Sequence, residues 1–126
     1  MLKRKNSKGR KLIENAGGCL VSKNILTGKG KVKWCFREEG IAKQDCGWRF
    51  LSDIDTDEYT ENPDNFSICD YDTVAQIEPA VLCIYHLPVG SDLVFVDEGS
   101  RGFYDAKTGK ELKFVFDEKS GAYCSV

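Results

Sequence analysis

The stretch REEGIAKQDCGWRFLSDIDTDEYTENPD, residues 37–64, organises the rest of the chain. Its first half predicts two strands around a loop, with Trp48 and Phe50 on one face of the second strand and the residues that alternate with them on the other. Its second half is a run of acidic residues with Tyr59 in the middle. The stretch contains no residues with the spacing of a catalytic site, so it favours a binding role.

Two segments upstream of this stretch predict neighbouring strands of one sheet. Residues 18–23, GCLVSK, have the apolar and β-branched content of a short buried strand. Residues 31–37 alternate between apolar and basic side chains, which predicts a half-buried strand with Val32, Trp34 and Phe36 on its buried face. The glycine-rich turn between the two segments would connect them.

The downstream half predicts two short helices followed by more strands. Asp72 is a candidate N-cap for a helix over residues 73–77, and Pro79 can open a second helix over 79–86. A strand over 92–97 and a β-hairpin over 102–116 follow. This order predicts an α+β fold, in which a mostly antiparallel sheet carries one or two short helices on one face.

The length of 126 residues predicts one domain, over residues 17–126, preceded by a flexible basic arm over 1–16. Charge is divided unevenly along the chain: residues 1–33 hold ten Lys/Arg against one acid, and residues 34–126 hold eight against nineteen. We expect the arm to act as a solubilising tail and expect no nucleic-acid partner, because no basic face with aromatic residues accompanies it.

The N-terminal basic residues are not followed by the apolar segment of a signal peptide, and no apolar run is long enough to span a bilayer. We therefore expect a cytoplasmic protein with no membrane partner. None of the six cysteines forms a C-x-x-C pair, and His86 is the single histidine. The cysteines are expected to be reduced, mostly buried apolar side chains, with no metal site and no cofactor.

Two chemical interpretations of these residues are disfavoured. Asp53, Asp55 and Asp57 have the spacing of an EF-hand loop, but Glu58 stands where that loop requires glycine. A cysteine nucleophile acting with His86, as in a small hydrolase, has no local signature to select the cysteine. We therefore expect no catalytic, cofactor-binding or metal-binding residues and no enzymatic activity.

Residues 53–72 contain eight acidic residues and no basic one. Such a segment is either a solvated loop that keeps the protein soluble or an electrostatic landing site for a basic partner. In the second case the partner-binding residues are expected to be Asp53, Asp55, Asp57, Glu58, Tyr59 and Glu61. Charge of this kind selects partners and speeds encounter more than it adds affinity.

An ordered set of short motifs runs through the middle of the chain. The set comprises Arg37-Glu38-Glu39, Asp45-Cys46-Gly47-Trp48-Arg49-Phe50, Asp57-Glu58-Tyr59, Asn62-Pro63-Asp64-Asn65, Asp72-Thr73-Val74, Ile77-Glu78-Pro79 and Pro88-Val89-Gly90-Ser91. In this order the motifs resemble the immunity protein 33 family of bacterial polymorphic toxin systems, over about residues 17–96. The resemblance implies a small cytosolic α+β protein that binds and neutralises a toxin deployed between competing bacteria.

The motif residues are expected to be structural rather than to contact the toxin. Trp48 should fill the core, Gly47 should permit a close backbone approach, and Arg49 should pair with Glu38 or Glu39. The structural signature as a whole is Arg37, Glu38, Glu39, Gly47, Trp48, Arg49 and Phe50.

The resulting hypothesis is a non-enzymatic immunity protein, a monomer or small homo-oligomer, that blocks a basic toxin such as a nuclease through its acidic surface. The alternative is a cytosolic regulatory module that binds another protein and has no toxin partner.

Overall fold

The computed structural model describes residues 11–98, 100–112, 114–117 and 122–125. The strands are β1 (Gly18–Ser22), β2 (Val32–Arg37), β3 (Asp45–Ser52), β4 (Phe66–Asp70), β5 (Asp92–Glu98), β6 (Ser100–Asp105), β7 (Phe114–Asp117) and β8 (Ala122–Ser125). The helices are α1 (Lys23–Leu26), α2 (Asp57–Thr60) and α3 (Tyr71–Ile77), with 3₁₀ turns at Pro63–Asn65 and Pro79–Cys83.

Six strands form one open sheet in the order β4-β1-β3-β2-β5-β6, and β7 pairs antiparallel with β8 in a separate two-stranded sheet. Within the six-stranded sheet β1 and β3 are parallel, and the other neighbouring pairs are antiparallel. Together with the short helices, this confirms the predicted α+β class and its mostly antiparallel sheet.

The predicted neighbours 18–23 and 31–37 are not adjacent, because β3 lies between β1 and β2. The reason is the burial of β3, in which the four consecutive residues from Gly47 to Phe50 are all buried. A strand that is apolar or sequestered on both faces gains most from a central position, where it has a partner on each side. The prediction that the first two strands pair with each other was therefore wrong.

α1, α3 and the 3₁₀ turn Pro79–Cys83 contribute buried residues to one face of the sheet, where an aromatic series forms the centre of the core. Trp48, Phe50 and Tyr71 are each fully buried. The ring centroids of Phe50 and Tyr71 lie 5.6 Å apart, and those of Tyr71 and Tyr85 lie 4.9 Å apart, both in edge-to-face geometry. Buried polar atoms within this series are satisfied: the Tyr71 hydroxyl donates to the Val81 carbonyl at 2.6 Å.

The register of β2 against β3 shifts between Val32 and Trp34, which places a β-bulge at that point. Alternation predicted that Val32, Trp34 and Phe36 share the buried face. Beyond the bulge, however, Cys35 is the residue that faces the core and is fully buried, whereas Trp34 is 40% exposed. An extra residue in one strand turns the side chains that follow it to the opposite face. The predicted core position of Trp34 was therefore wrong.

The helical region begins two residues before the predicted 73–77 helix. Asp70, rather than Asp72, is the N-cap of α3, because the Asp70 carboxylate accepts from the backbone N–H of Asp72. The Asp72 carboxylate instead accepts from the backbone N–H groups of Leu12 and Ile13, at 2.7 and 3.2 Å. The segment predicted as a helix over 79–86 forms the 3₁₀ turn Pro79–Cys83 and then non-helical turns.

Two other predicted segments reach the limits of the described residues. Positions 1–10 of the predicted basic arm lie outside them, and from Lys11 onward the chain contacts α3 through the hydrogen bonds to Asp72. Within the predicted hairpin over 102–116, the chain turns after β6 and returns beside it, with a bridge between Tyr104 and Glu111. It then enters β7, which pairs with β8.

Candidate functional site

The acidic segment between β3 and β4, residues 53–64, is a compact loop built around α2. The Thr56 hydroxyl accepts from the backbone N–H of Tyr59 and caps the helix. The Asn62 side chain accepts from the backbone N–H of Asp64 and opens the 3₁₀ turn that follows. Capping at both turns holds the backbone of the segment in one shape, and its charged side chains project from that frame.

Besides Asp53, four carboxylates of this segment are exposed: Asp57, Glu58, Glu61 and Asp64. Among the residues that the structure describes, none of the four has a Lys or Arg within ion-pair distance. No basic side chain elsewhere in the described fold therefore compensates the charge of these four carboxylates. The exposed carboxylates form an anionic surface that is available to a partner.

Asp53 and Asp55 belong to the same segment but serve the loop itself. The Asp53 carboxylate accepts from the backbone N–H of Lys31 at 2.9 Å. The Asp55 carboxylate accepts from the backbone N–H and the hydroxyl of Ser52, at 2.8 and 2.6 Å, and from the Asn24 amide at 2.8 Å. Burial opposes the charge on Asp55, but these hydrogen bonds outweigh burial and lower the pKa of its carboxyl. Asp55 is thus a connecting group between β3 and α1.

Tyr59 lies on the inner side of α2, half-buried against the strand that follows. Its ring packs against Phe66 with centroids 6.4 Å apart, and the Asn65 amide donates to the Tyr59 carbonyl at 2.7 Å. The ring therefore contributes to the scaffold that holds the acidic segment. Of the six residues predicted as partner-binding, the structure brings Asp57, Glu58 and Glu61 together on α2 and its C-cap as exposed groups.

A groove lies beside this segment, on the face of the sheet opposite α3. Trp34, Phe36 and Leu51 form its floor, and its volume is about 580 Å³. The remaining lining residues are Arg37, Asp55, Thr56, Asp57, Thr60, Gly90, Ser91, Asp92 and Lys107. We call it the open-face groove. The groove was not predicted from the sequence, because residues 31–37 alternate regularly and give no sign of the bulge in β2. The consecutive apolar residues Trp34-Cys35-Phe36 were the available signal that both faces of β2 carry apolar side chains.

Arg49 lies on the open face of β3 but is only 4% exposed. Its Nε lies 2.7 Å from Glu38 Oε2, and its two Nη atoms each lie 2.9 Å from an oxygen of Asp45. Hydrogen bonding to Arg49 holds the pKa of the Asp45 carboxyl well below its usual range, and Asp45 in turn raises the pKa of Arg49. The ion pairs bind the loop between β2 and β3 to the sheet.

Gly47 and Arg37 shape the other end of the same loop. Gly47 has φ of +92°, and a Cβ at this position would collide with the Glu38 carbonyl oxygen. The Arg37 guanidinium donates to the carbonyls of Cys46 and Leu87 at 2.9 and 2.7 Å. These contacts join β2 and β3 to the turns after Pro79–Cys83. The signature motif thus supplies backbone geometry and buried charge pairs.

Groups with catalytic potential are scattered in this fold. Across the described ranges, no set of three His, Cys, Asp or Glu side chains is grouped in a way that could hold a metal ion. His86 is exposed. Burial raises the pKa of the Cys35 and Cys46 thiols, which makes them weaker nucleophiles at neutral pH.

No helix among the described residues combines the length and the apolar character needed to cross a bilayer.

Comparison with known proteins adds one finding to this geometry. The family model for the immunity protein Imm33 domain matches residues 19–104, which is well over half of the chain. Neither the curated proteins nor the solved structures include a significant match. The matched range extends from β1 into β6 and includes the signature loop, the acidic segment and the lining residues of the open-face groove other than Lys107. The chain therefore belongs to the Imm33 immunity protein family.

Proposed function

We propose that this protein is a non-enzymatic bacterial immunity protein that acts in the cytoplasm by binding a cognate toxin and blocking it. Membership of the Imm33 family supports the immunity role, since toxin binding is the role of that family. The observation that carries the choice of surface is the group of exposed carboxylates on residues 57–64, which have no basic partner within the described fold.

The partner that fits such a surface is a basic toxin, of which a nuclease is the main example. A nuclease needs a cationic surface to hold its phosphate substrate, and that surface attracts anions in general. Asp57 and Glu58 on α2, with Glu61 at its C-cap, would contact this cationic surface of the toxin. Complementary charge would speed the encounter and reject partners of the wrong sign.

The test is co-expression in a bacterial host with the toxin domain encoded beside the immunity gene. We expect the wild-type protein to restore growth and to copurify with the toxin domain. The double variant Asp57→Lys/Glu58→Lys should weaken binding by tenfold or more, since each reversal replaces attraction with repulsion. Failure of the wild-type protein to bind or to protect would overturn the proposal.

The matched control is Glu14→Lys/Glu39→Lys, which makes the same change in net charge at two exposed acids outside the acidic segment. This control should protect as well as the wild-type protein. Equal loss of protection in both double variants would mean that only net charge matters, and would contradict the assignment of the surface.

A further inference from the structure

α3 and the 3₁₀ turn Pro79–Cys83 cover one face of the six-stranded sheet, and the open-face groove lies on the other, beside α2. Its floor is made of Trp34 and Phe36 from β2 and Leu51 from β3. Trp34 and Leu51 are directly paired across the two strands, so their side chains share that face. Trp34 is 40% exposed, although tryptophan is among the side chains that gain most from burial. The groove thus presents a large aromatic surface to solvent beside the acidic segment.

The exposure of Trp34 has a specific structural cause. Without the bulge between Val32 and Trp34, simple alternation would place Trp34 on the same buried face as Val32. The bulge turns the indole outward and lets the small Cys35 fill the core position. Bulges commonly re-aim side chains next to functional sites. By exposing a tryptophan and burying a cysteine, the bulge leaves a large apolar side chain partly unburied. This favours a binding role for the exposed Trp34 ring.

The charge around the groove defines what can enter it. Asp55, Asp57 and Asp92 line it, against two basic residues, the first of which is Lys107. Arg37 also lines the groove, but its guanidinium is engaged with the carbonyls of Cys46 and Leu87. With three acids against two basic residues, the rim carries a net negative charge, while the floor is aromatic and aliphatic.

An arginine side chain matches both properties. Its planar guanidinium stacks on an indole face and offers several donors in a fixed fork to neighbouring carboxylates. The Lys33 ammonium lies over the Trp34 ring, 6.0 Å from its centroid, at the outer limit of a cation–π contact. The groove volume of about 580 Å³ exceeds the size of one side chain, so it can also hold the apolar residues beside an arginine.

We infer that the open-face groove receives an exposed arginine of the toxin together with its apolar neighbours, with the guanidinium over Trp34 and between the rim carboxylates. This inference rests on the proposed function and names the contact by which the acidic surface holds its partner. The acidic segment attracts the toxin, and the groove supplies the central, desolvated contact.

The first experiment measures the affinity of full-length variants for the toxin domain encoded beside the gene. Trp34→Ala should lower the affinity by about tenfold or more, as expected for an aromatic residue at the centre of an interface, and Trp34→Phe should lower it less. Asp57→Asn/Asp92→Asn should weaken binding and reduce its dependence on salt. The controls are Ile77→Ala, an exposed apolar residue at the end of α3, and Glu14→Gln/Glu39→Gln, two exposed acids outside both the groove and the acidic segment; both should bind like the wild-type protein.

The second experiment uses the two tryptophans as internal reporters. The Trp48 indole is fully buried and donates to the Tyr85 carbonyl at 3.1 Å, whereas the Trp34 indole is exposed. In an NMR titration with the peptide acetyl-Leu-Arg-Leu-amide, the Trp34 indole N–H signal should shift and the Trp48 signal should stay. Acetyl-Leu-Glu-Leu-amide should shift neither signal. The Trp48 signal also reports whether each variant remains folded.

The outcomes separate this inference from the proposed function. If the wild-type protein binds the toxin domain and Trp34→Ala binds it equally well, the groove inference is overturned and the immunity role stands. If the wild-type protein does not bind the toxin domain, the proposed function fails, and the peptide titration still decides the groove. Concentration-dependent self-association that Trp34→Ala abolishes would make a second copy of this chain the occupant and would also overturn the inference.

Discussion

Two nitrogens of the Arg49 guanidinium lie 2.9 Å from the two carboxylate oxygens of Asp45. The same carboxylate accepts from the backbone N–H groups of Ile41 and Gly47, at 2.9 and 2.8 Å. Asp45 therefore joins the central strand, the preceding loop and a nearly buried cation. Because paired charges of this kind depend on each other, the loss of one partner is more costly than the loss of a surface ion pair.

Asp45→Asn should destabilise the protein by about 2–3 kcal/mol, since it leaves the buried Arg49 charge with only Glu38 as a carboxylate partner. Urea unfolding measures the change in the free energy of unfolding. Glu39→Gln, at an exposed position in the same loop, should change that free energy by less than about 0.5 kcal/mol. A similar effect of both substitutions would contradict the role given to Asp45.

The same pair predicts how stability changes with pH. The pKa of Asp45 lies below its ordinary value in the folded protein, so its contribution to stability is complete above the ordinary pKa, about 3.9, and is lost as the pH falls through the folded value. The free energy of unfolding of the wild-type protein should therefore drop between about pH 5 and pH 2 more steeply than that of Asp45→Asn. Parallel pH profiles would show that another carboxyl group controls acid unfolding.

Gly47→Ala should destabilise the protein by about 2–4 kcal/mol, because the added methyl group meets the Glu38 carbonyl and φ is positive. Gly90→Ala is the matched control: its φ is also positive, at +100°, but a Cβ there would meet nothing within 4 Å. The control should lose only about 1 kcal/mol, the cost of the left-handed backbone. Thermal or urea unfolding separates the two costs, and equal losses would rule out the steric term.

Cys69 should be alkylated by iodoacetamide faster than Cys35 or Cys46 at neutral pH. Cys19 and Cys69 are paired across β1 and β4, and the Cys19 thiol donates to the Cys69 carbonyl at 3.4 Å. Hydrogen bonding by the Cys19 side chain lowers the pKa of Cys69. Burial raises the pKa of Cys35 and Cys46, so fewer of those thiols are ionised. Mass spectrometry of peptides from briefly labelled native protein measures each site.

Two substitutions at the partner cysteine test that cause. Cys19→Ala removes the donor and should slow the alkylation of Cys69, whereas Cys19→Ser keeps a hydroxyl donor and should slow it less. Faster labelling of Cys46 than of Cys69 in the wild-type protein would contradict the predicted order.

Local signals in the sequence predicted the strands and turns of this fold well, but not how the strands pair. The helical turn around Tyr59 and the turn at Asn62–Asn65 follow from short-range capping chemistry and are present. The insertion of β3 between β1 and β2 depends on contacts between residues far apart in the chain. Residues 47–50 are buried on both faces of β3, which is the property of a central strand. In the sequence, the charged Arg49 among them suggested instead that one face was exposed to solvent.

The candidate site was predicted in part, for a similar reason. The exposure of Asp57 and Glu58 could be predicted because residues 53–72 contain no basic residue. The hydrogen bonds that Asp55 accepts from Ser52 and Asn24 could not be predicted, because Asn24 is distant in the chain. The groove depends on a bulge at Trp34, and a one-residue slip in register cannot be read from alternation alone.

The central claim is that this protein works by presenting its acidic segment and open sheet face to a toxin. Amide hydrogen exchange of the full chain, alone and bound to the toxin domain encoded beside its gene, tests this claim most directly. We expect exchange to slow at residues 53–61 and 90–92, which border the open-face groove. Slowed exchange confined to α3 and Pro79–Cys83, on the opposite face of the sheet, would contradict it.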